Sequence, residues 1–249
     1  MSDFGGKNVV ILGASGSVGT VLVQRFAAGG AHVLAVARDC TGLDALAKHV
    51  AGIDILSLDA TQDDAPSQVF KTSLPDILIV CGGAMPPTAP IHELTWQQFS
   101  ANWESDVKMS FLFCRAALTK PLAAGSVVIL ISSGAALGGS PISGGYAGAK
   151  RTQMFIANYS QKEADRLNLG VRFMALAPAM IMPDTSLGKL AVAGYARYLG
   201  IPESDFIGSM KSPQTLHDVA EAAVALSKPQ EGGQGGVFTV SSDGIAKVQ

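Results

Sequence analysis

The sequence predicts an α/β fold: a doubly wound, Rossmann-type parallel sheet of about seven strands with helices on both faces. Three observations predict it. Short apolar runs rich in Val, Ile and Leu recur without polar alternation, as in strands buried on both faces. Segments with apolar residues at helical spacing separate them. The first run leads straight into a glycine loop that opens a helix.

The first run is Val9–Leu12. After the glycine loop, Val18, Val21, Leu22, Arg25 and Phe26 form one helical face. The second run is Val33–Ala37, and Leu43, Leu46, Ala47 and Val50 give the next helical face. The runs Ile53–Leu58, Ile77–Cys81, Val127–Ile131 and Val171–Ala177 follow. A helix over His217–Leu226 leads to a last strand near Gly236–Val240. Between Pro183 and Pro213 stand Gly188, Gly194, Gly200, Pro202 and Gly208. That stretch predicts short helices on a flexible insertion, a candidate substrate lid at about 184–212. No linker divides the rest, so residues 1–249 are read as one domain.

Composition narrows the function. Of 249 residues, 48% are hydrophobic and 15% charged, which excludes a disordered polar chain. The net charge of −2 leaves no electrostatic footprint for nucleic acid or an anionic membrane. Cys40, Cys81 and Cys114 are widely spaced with no CxxC, so neither a disulfide framework nor a metal site is expected. They read as small buried apolar residues in a reducing compartment. Val9–Leu12 is too short for a signal peptide or a membrane span. A cytoplasmic location is expected.

The loop Gly13-Ala14-Ser15-Gly16-Ser17-Val18-Gly19 lies at the first strand–helix junction. There, Gly13 can take the tight turn, Gly16 lets backbone N–H groups approach a pyrophosphate, and Gly19 lets the helix pack close. The N-terminus of the helix supplies donors and partial positive charge. The other reading is a glycine-rich turn with no ligand. No Gly-Lys-Ser/Thr follows, which excludes a P-loop ATPase. The second strand ends Val36-Ala37-Arg38-Asp39. Arg38 can accept the 2′-phosphate of NADP, so NADP(H) is expected over NAD(H). Asp39 could instead turn inward and bind a ribose 2′-OH, with Arg38 as a solvated surface residue.

Tyr146 and Lys150 stand four residues apart at the start of a helix, on one face. An ammonium beside a phenol favours the phenolate, and such a Tyr can exchange a proton near neutral pH. On spacing alone such a pair is usually an ordinary helix surface. Ser133 ends the run Val127–Ile131, where the carboxyl ends of strands face the ligand crevice. A Ser there can donate to a carbonyl oxygen as charge develops on it.

The glycine loop, the Ser133, Tyr146 and Lys150 spacing and the strand order together resemble the short-chain dehydrogenase/reductase family over nearly the whole chain. Val171-Arg172-Phe173-Met174-Ala175-Leu176-Ala177-Pro178 resembles the segment before the family's Pro-Gly turn, and Thr239–Gly244 its closing strand and turn. Asp59 and Ala60 resemble the segment that contacts adenine. The chain departs from the family at several points. Its second glycine is Gly16 rather than residue 17, as in extended or divergent branches. Val80-Cys81-Gly82-Gly83 stands for Asn-Asn-Ala-Gly, and Pro178-Ala179 for Pro-Gly. Pro183 stands where a Thr often meets the nicotinamide amide, and the usual active-site Asn falls on Asp106.

The resemblance implies hydride transfer between NADP(H) and a ketone or secondary alcohol. Ser133 would hold the oxygen and Tyr146 exchange the proton. Lys150 would tune Tyr146 and bind the nicotinamide ribose, and Asp106 would join a water relay. Gly82, Pro178 and Ile181 would line the cofactor, with backbone contacts from Ile181 to the carboxamide. Two other readings stand beside this: a catalytically silent or redox-sensing NADP-binding protein, and a nucleotide-sugar epimerase-like enzyme. The lid residues Leu187, Leu190, Val192, Tyr195, Tyr198, Leu199, Phe206 and Met210 suit an apolar substrate and equally the packing of the lid itself. The resemblance also implies a homodimer or homotetramer through the helices around 95–118 and 145–167.

Overall fold

Strand and helix alternate through the computed structural model, which describes residues 3–210, 214–229 and 235–248. The first half runs β1 (Asn8–Leu12), α1 (Ser17–Ala28), β2 (His32–Ala37), α2 (Cys40–His49), β3 (Ile53–Ser57), α3 (Ala65–Thr72) and β4 (Ile77–Val80). Next come α4 (Trp96–Asn102), a π-helical turn (Trp103–Val107) and α5 (Lys108–Thr119), then β5 (Val127–Ile131) and the short α6 (Ala135–Gly138). The long α7 (Gly144–Arg166) leads to β6 (Arg172–Pro178), α8 (Ser186–Leu199) and α9 (Glu203–Gly208). The chain closes with α10 (Leu216–Ser227), β7 (Gly236–Ser241) and β8 (Gly244–Lys247).

The sheet order is β3-β2-β1-β4-β5-β6-β7-β8. The first seven strands are parallel. β8 pairs antiparallel with β7, Ile245 opposite Val240, and is an eighth strand beyond the about seven expected, starting where the expected closing turn ends. Side chains along β1 alternate between two cores. Val9 and Ile11 face Leu22, Phe26 and Val219 of α1 and α10, whereas Val10 and Leu12 face Phe113 of α5 and Met154 of α7. Helices thus cover both faces, which is why β1, β4 and β5 tolerate unbroken apolar runs.

β3 does not match the expectation of a strand buried on both faces. It is the sheet edge, with Asp54, Ile55 and Ser57 exposed. Of the cysteines, only Cys114 is buried; Cys81 is partly exposed, and Cys40 is exposed at the start of α2. Cys40 opens that helix over the edge strand, where its Sγ donates to Ser57 Oγ at 3.0 Å. The presumed flexible insertion is mostly one helix. Thr185 caps the start of α8 by accepting from Gly188 N, and Gly200 ends it in the left-handed region at φ +68°. The last two residues of the lid stretch, 211 and 212, lie outside the described residues.

Candidate functional site

The carboxyl ends of β1, β2, β4, β5 and β6 open on one cavity of about 1370 Å³. Every site residue expected from the sequence lines it. Gly13, Ser15, Gly16, Ser17, Val18 and Gly19 form one end with Arg38, Asp59 and Ala60; Gly82, Asp106, Ser133, Tyr146, Lys150, Pro178 and Ile181 lie further along.

The glycine loop has a physical reason at each glycine. Gly13 sits at φ +80°, and a Cβ there would stand 2.5 Å from the backbone of Gly82, so the loops after β1 and β4 touch because Gly13 carries no side chain. A Cβ on Gly19 would overlap the Gly13 carbonyl oxygen. Gly16 differs: an added Cβ would meet nothing nearer than Gly13 O at 3.4 Å. Packing does not demand a glycine there, and the open space faces the cavity. No side chain caps α1, so its first-turn N–H groups remain for a ligand. A dinucleotide pyrophosphate fits this cradle.

At the same end, Asp59 Oδ1 accepts from Thr61 N at 3.0 Å and Thr61 Oγ1 at 2.8 Å. These bonds hold its carboxyl below the usual range, with a smaller contribution from Arg38. The Asp39 carboxylate is folded against Gly42 in the first turn of α2, where a Cβ on that glycine would stand 2.6 Å from Oδ2.

The reactive cluster sits where β5 and the start of α7 meet the π-helical turn. Lys150 is buried, and its Nζ donates to Ile131 O at 3.0 Å and lies 3.0 Å from Asp106 Oδ1. An ammonium carries three donors, so one remains for a ligand. Burial alone would lower the Lys150 pKa, but the Asp106 carboxylate and the nearby Tyr146 outweigh it and hold the amine above its ordinary value. Lys150 Nζ stands 5.6 Å from the Tyr146 ring centre. Ser133 Oγ accepts from Ala135 N at 3.2 Å and keeps its own hydrogen to donate. Burial pushes the Cys81 thiol up to about 12, and the same holds for Cys114. Neither is a thiolate near neutral pH.

Several supporting residues escaped the sequence reading. Ser132 Oγ donates to Lys150 O at 2.8 Å and ties α7 to β5. Ser105 Oγ donates to Asp106 Oδ2 at 2.7 Å. Thr88 meets α8: its carbonyl accepts from Arg197, and a Cβ on Gly194 would stand 2.6 Å from Thr88 Cβ. The Ser132 and Thr88 contacts join segments far apart in the chain, and the Ser105 contact is to its own neighbour. Pro183 does not line the cavity, whereas Thr185 does, with its hydroxyl donating to Met182 O at 2.8 Å. Among the described residues no cluster of His, Cys, Asp or Glu could hold a metal, and no helix is long and apolar enough to cross a membrane.

Residues 7–191 match the model of a family described as short chain dehydrogenase. An uncharacterized oxidoreductase of Mycobacterium tuberculosis is 29% identical over 185 residues, 70% of this chain and 67% of the relative. A 2,5-dichloro-2,5-cyclohexadiene-1,4-diol dehydrogenase of Sphingobium indicum is 26% identical over 91% of both chains. Among solved structures, levodione reductase superposes with a TM-score of 0.80 at 21% identity, covering 90% of this chain and 92% of the other. A 3-ketoacyl-(acyl-carrier-protein) reductase from Brucella melitensis, complexed with NADH, gives 0.77 at 21% identity over 96% and 97%.

Proposed function

The chain belongs to the short-chain dehydrogenase family, and from that premise we propose that it is an NADP(H)-dependent oxidoreductase acting between a ketone and its secondary alcohol. The observation that carries this reading is the convergence of Ser133, Tyr146 and Lys150 on one cavity whose other end is the glycine loop. The nicotinamide, when bound, supplies or accepts the hydride. In the direction of reduction, Ser133 donates a hydrogen bond to the substrate oxygen as negative charge develops on it. Tyr146 gives its phenol proton to the nascent alkoxide and takes it back in oxidation. Lys150 offers its remaining N–H to the nicotinamide ribose, while its charge stabilises the phenolate that Tyr146 becomes.

Arg38 supports NADP(H) over NAD(H). Its charge reaches Asp59 at the adenosine end, and Asp39, the rival ribose contact, is folded against Gly42. The rest of the cavity supports an uncharged, apolar substrate. Beyond Lys150, the wall is built by residues such as Met85, Pro86, Ile142, Leu187, Tyr195 and Met210, and among the described residues no charged side chain lines that part. The protein works in the cytoplasm as a homodimer or homotetramer, with Phe111, Phe155 and Tyr159 exposed on the outward faces of α5 and α7.

The test is NADPH oxidation over a panel of neutral cyclic and aryl ketones. Turnover that Tyr146→Phe abolishes is the expected result. NADPH binding without oxidation on any ketone would leave a cofactor-binding protein without this activity.

A further inference from the structure

Asn102 ends α4, one helical turn before Asp106, and is wholly buried. Its Nδ2 donates to Ala84 O at 2.8 Å and to Asp106 Oδ2 at 3.2 Å. Asp106 in turn accepts from Ala84 N at 3.0 Å. Both backbone groups of Ala84, at the start of the cavity wall 84–88, are therefore held by two side chains one turn apart. Gly83 leaves room for this: a Cβ there would stand 2.6 Å from Asp106 Oδ1.

A carboxylate only accepts hydrogen bonds, and a buried one needs a donor on each face. Asp106 Oδ2 has three: Ala84 N, Asn102 Nδ2 and Ser105 Oγ. With Oδ2 so fixed, Oδ1 is left to face Lys150 at 3.0 Å. Of the three donors, Asn102 alone also ties the Ala84 carbonyl, so it sets the carboxylate and the wall together.

We propose that Asn102 is a positioning residue: it fixes the rotation of the Asp106 carboxylate, and through it the place of the Lys150 ammonium beside Tyr146. This rests on the dehydrogenase reading above. Among the described residues the titratable group that faces the Asp106 carboxylate is Lys150 from α7, and Tyr146 and Cys81 in turn act on the Lys150 ammonium. Glu104 and Lys108, on the same helical run, are exposed, and Lys108 pairs with Asp63 at 3.3 Å.

Asn102→Asp is the sharpest test, because it keeps the shape and exchanges the donor for a second carboxylate. Two carboxylates this close do not both ionise, so the new acid holds a proton to higher pH than usual, and once protonated it donates again. The expected result is a kcat lowered roughly ten- to hundredfold at about pH 8 and largely restored at about pH 5.5, with the NADPH KM little changed. Asn102→Leu, of similar size and without hydrogen bonds, loses the same kcat and regains none of it on acidification. The idea is overturned if either variant keeps the wild-type kcat and profile at pH 8, or if both fall in parallel at every pH. Should neither fold, Asn102→Ser retains one donor in a smaller side chain. A reduced kcat with NADPH affinity intact then supports the role, and wild-type kcat overturns it. The thermal midpoint of Asn102→Asp is followed over the same pH range without substrate, and its deficit from wild type narrows as pH falls. If no ketone turns over at all, the dehydrogenase reading falls, while the midpoints still decide the Asn102–Asp106 contact.

Discussion

Lys150 donates to Ile131 O and pairs with Asp106 at 3.0 Å, so the chemistry of the cavity depends on residues that hold this ammonium in place. Tyr146 is the plainest test of the chemistry. Tyr146→Phe removes the acid and little volume, so turnover falls about 10²–10⁴-fold while NADPH affinity measured by titration holds. Asp106 sets a pH limit. Its carboxylate holds the Lys150 amine above the ordinary value, so the ammonium persists to higher pH than usual. Asp106→Asn removes that cause, and the alkaline limb of the kcat profile moves to lower pH with turnover still measurable; superimposable profiles would detach Asp106 from the reaction. Arg38→Ala raises the NADPH KM about one to two orders of magnitude and spares NADH, because charge-assisted hydrogen bonds to a phosphate are worth roughly 1.5–3 kcal/mol. Faster wild-type turnover with NADH would assign the ribose contact to Asp39. Ser133, Tyr146 and Lys150 were legible because their spacing repeats a known pattern. Asn102 and Ser105 were not. Asn102 bonds to a loop 18 residues away, around Ala84, and nothing local marks it, while Ser105 matters only through its buried neighbour Asp106.

Elements were legible where local pattern and burial agree. β4 and β5, and β1 from Val9 on, are apolar because both faces are covered, and their runs showed it. β3 showed a similar run, but a strand's place at the sheet edge is set by its neighbours, which the run does not encode. β8 is four exposed residues that pair only because β7 lies alongside. The stretch expected to carry short helices on a flexible insertion holds α8 and α9, and Gly188 and Gly194 lie buried inside α8. Gly194 is small because Thr88 is close. Gly194→Ala would force α8 and the 84–88 wall apart and destabilise the protein by about 1–3 kcal/mol despite alanine's better helix propensity. Urea unfolding measures this, and an unchanged or raised midpoint would show that the wall yields freely.

The parallel sheet puts the glycine loop and Tyr146 at one end of the molecule, leaving the outer faces of α5 and α7 free for assembly. Phe155 stacks on Tyr159 there at 6.1 Å, both exposed, with Arg151 over the Phe155 ring. In the proposed homo-oligomer Phe155→Asp would place an unpaired charge in the interface, so sedimentation should show wild type as an oligomer and the variant shifted toward single chains. An unchanged sedimentation coefficient would place the interface elsewhere. The sheet order also has a consequence for how the chain is made. β1 lies between β2 and β4, so its second edge is closed only when residues 77–80 arrive. A ribosome that has released the first strands holds a nascent sheet in which the backbone N–H and C=O groups along this edge of β1 are unpaired, and the closing strand is still in the exit tunnel. That interval is when a chaperone would be needed most, and slow codons placed just before β4 would lengthen it.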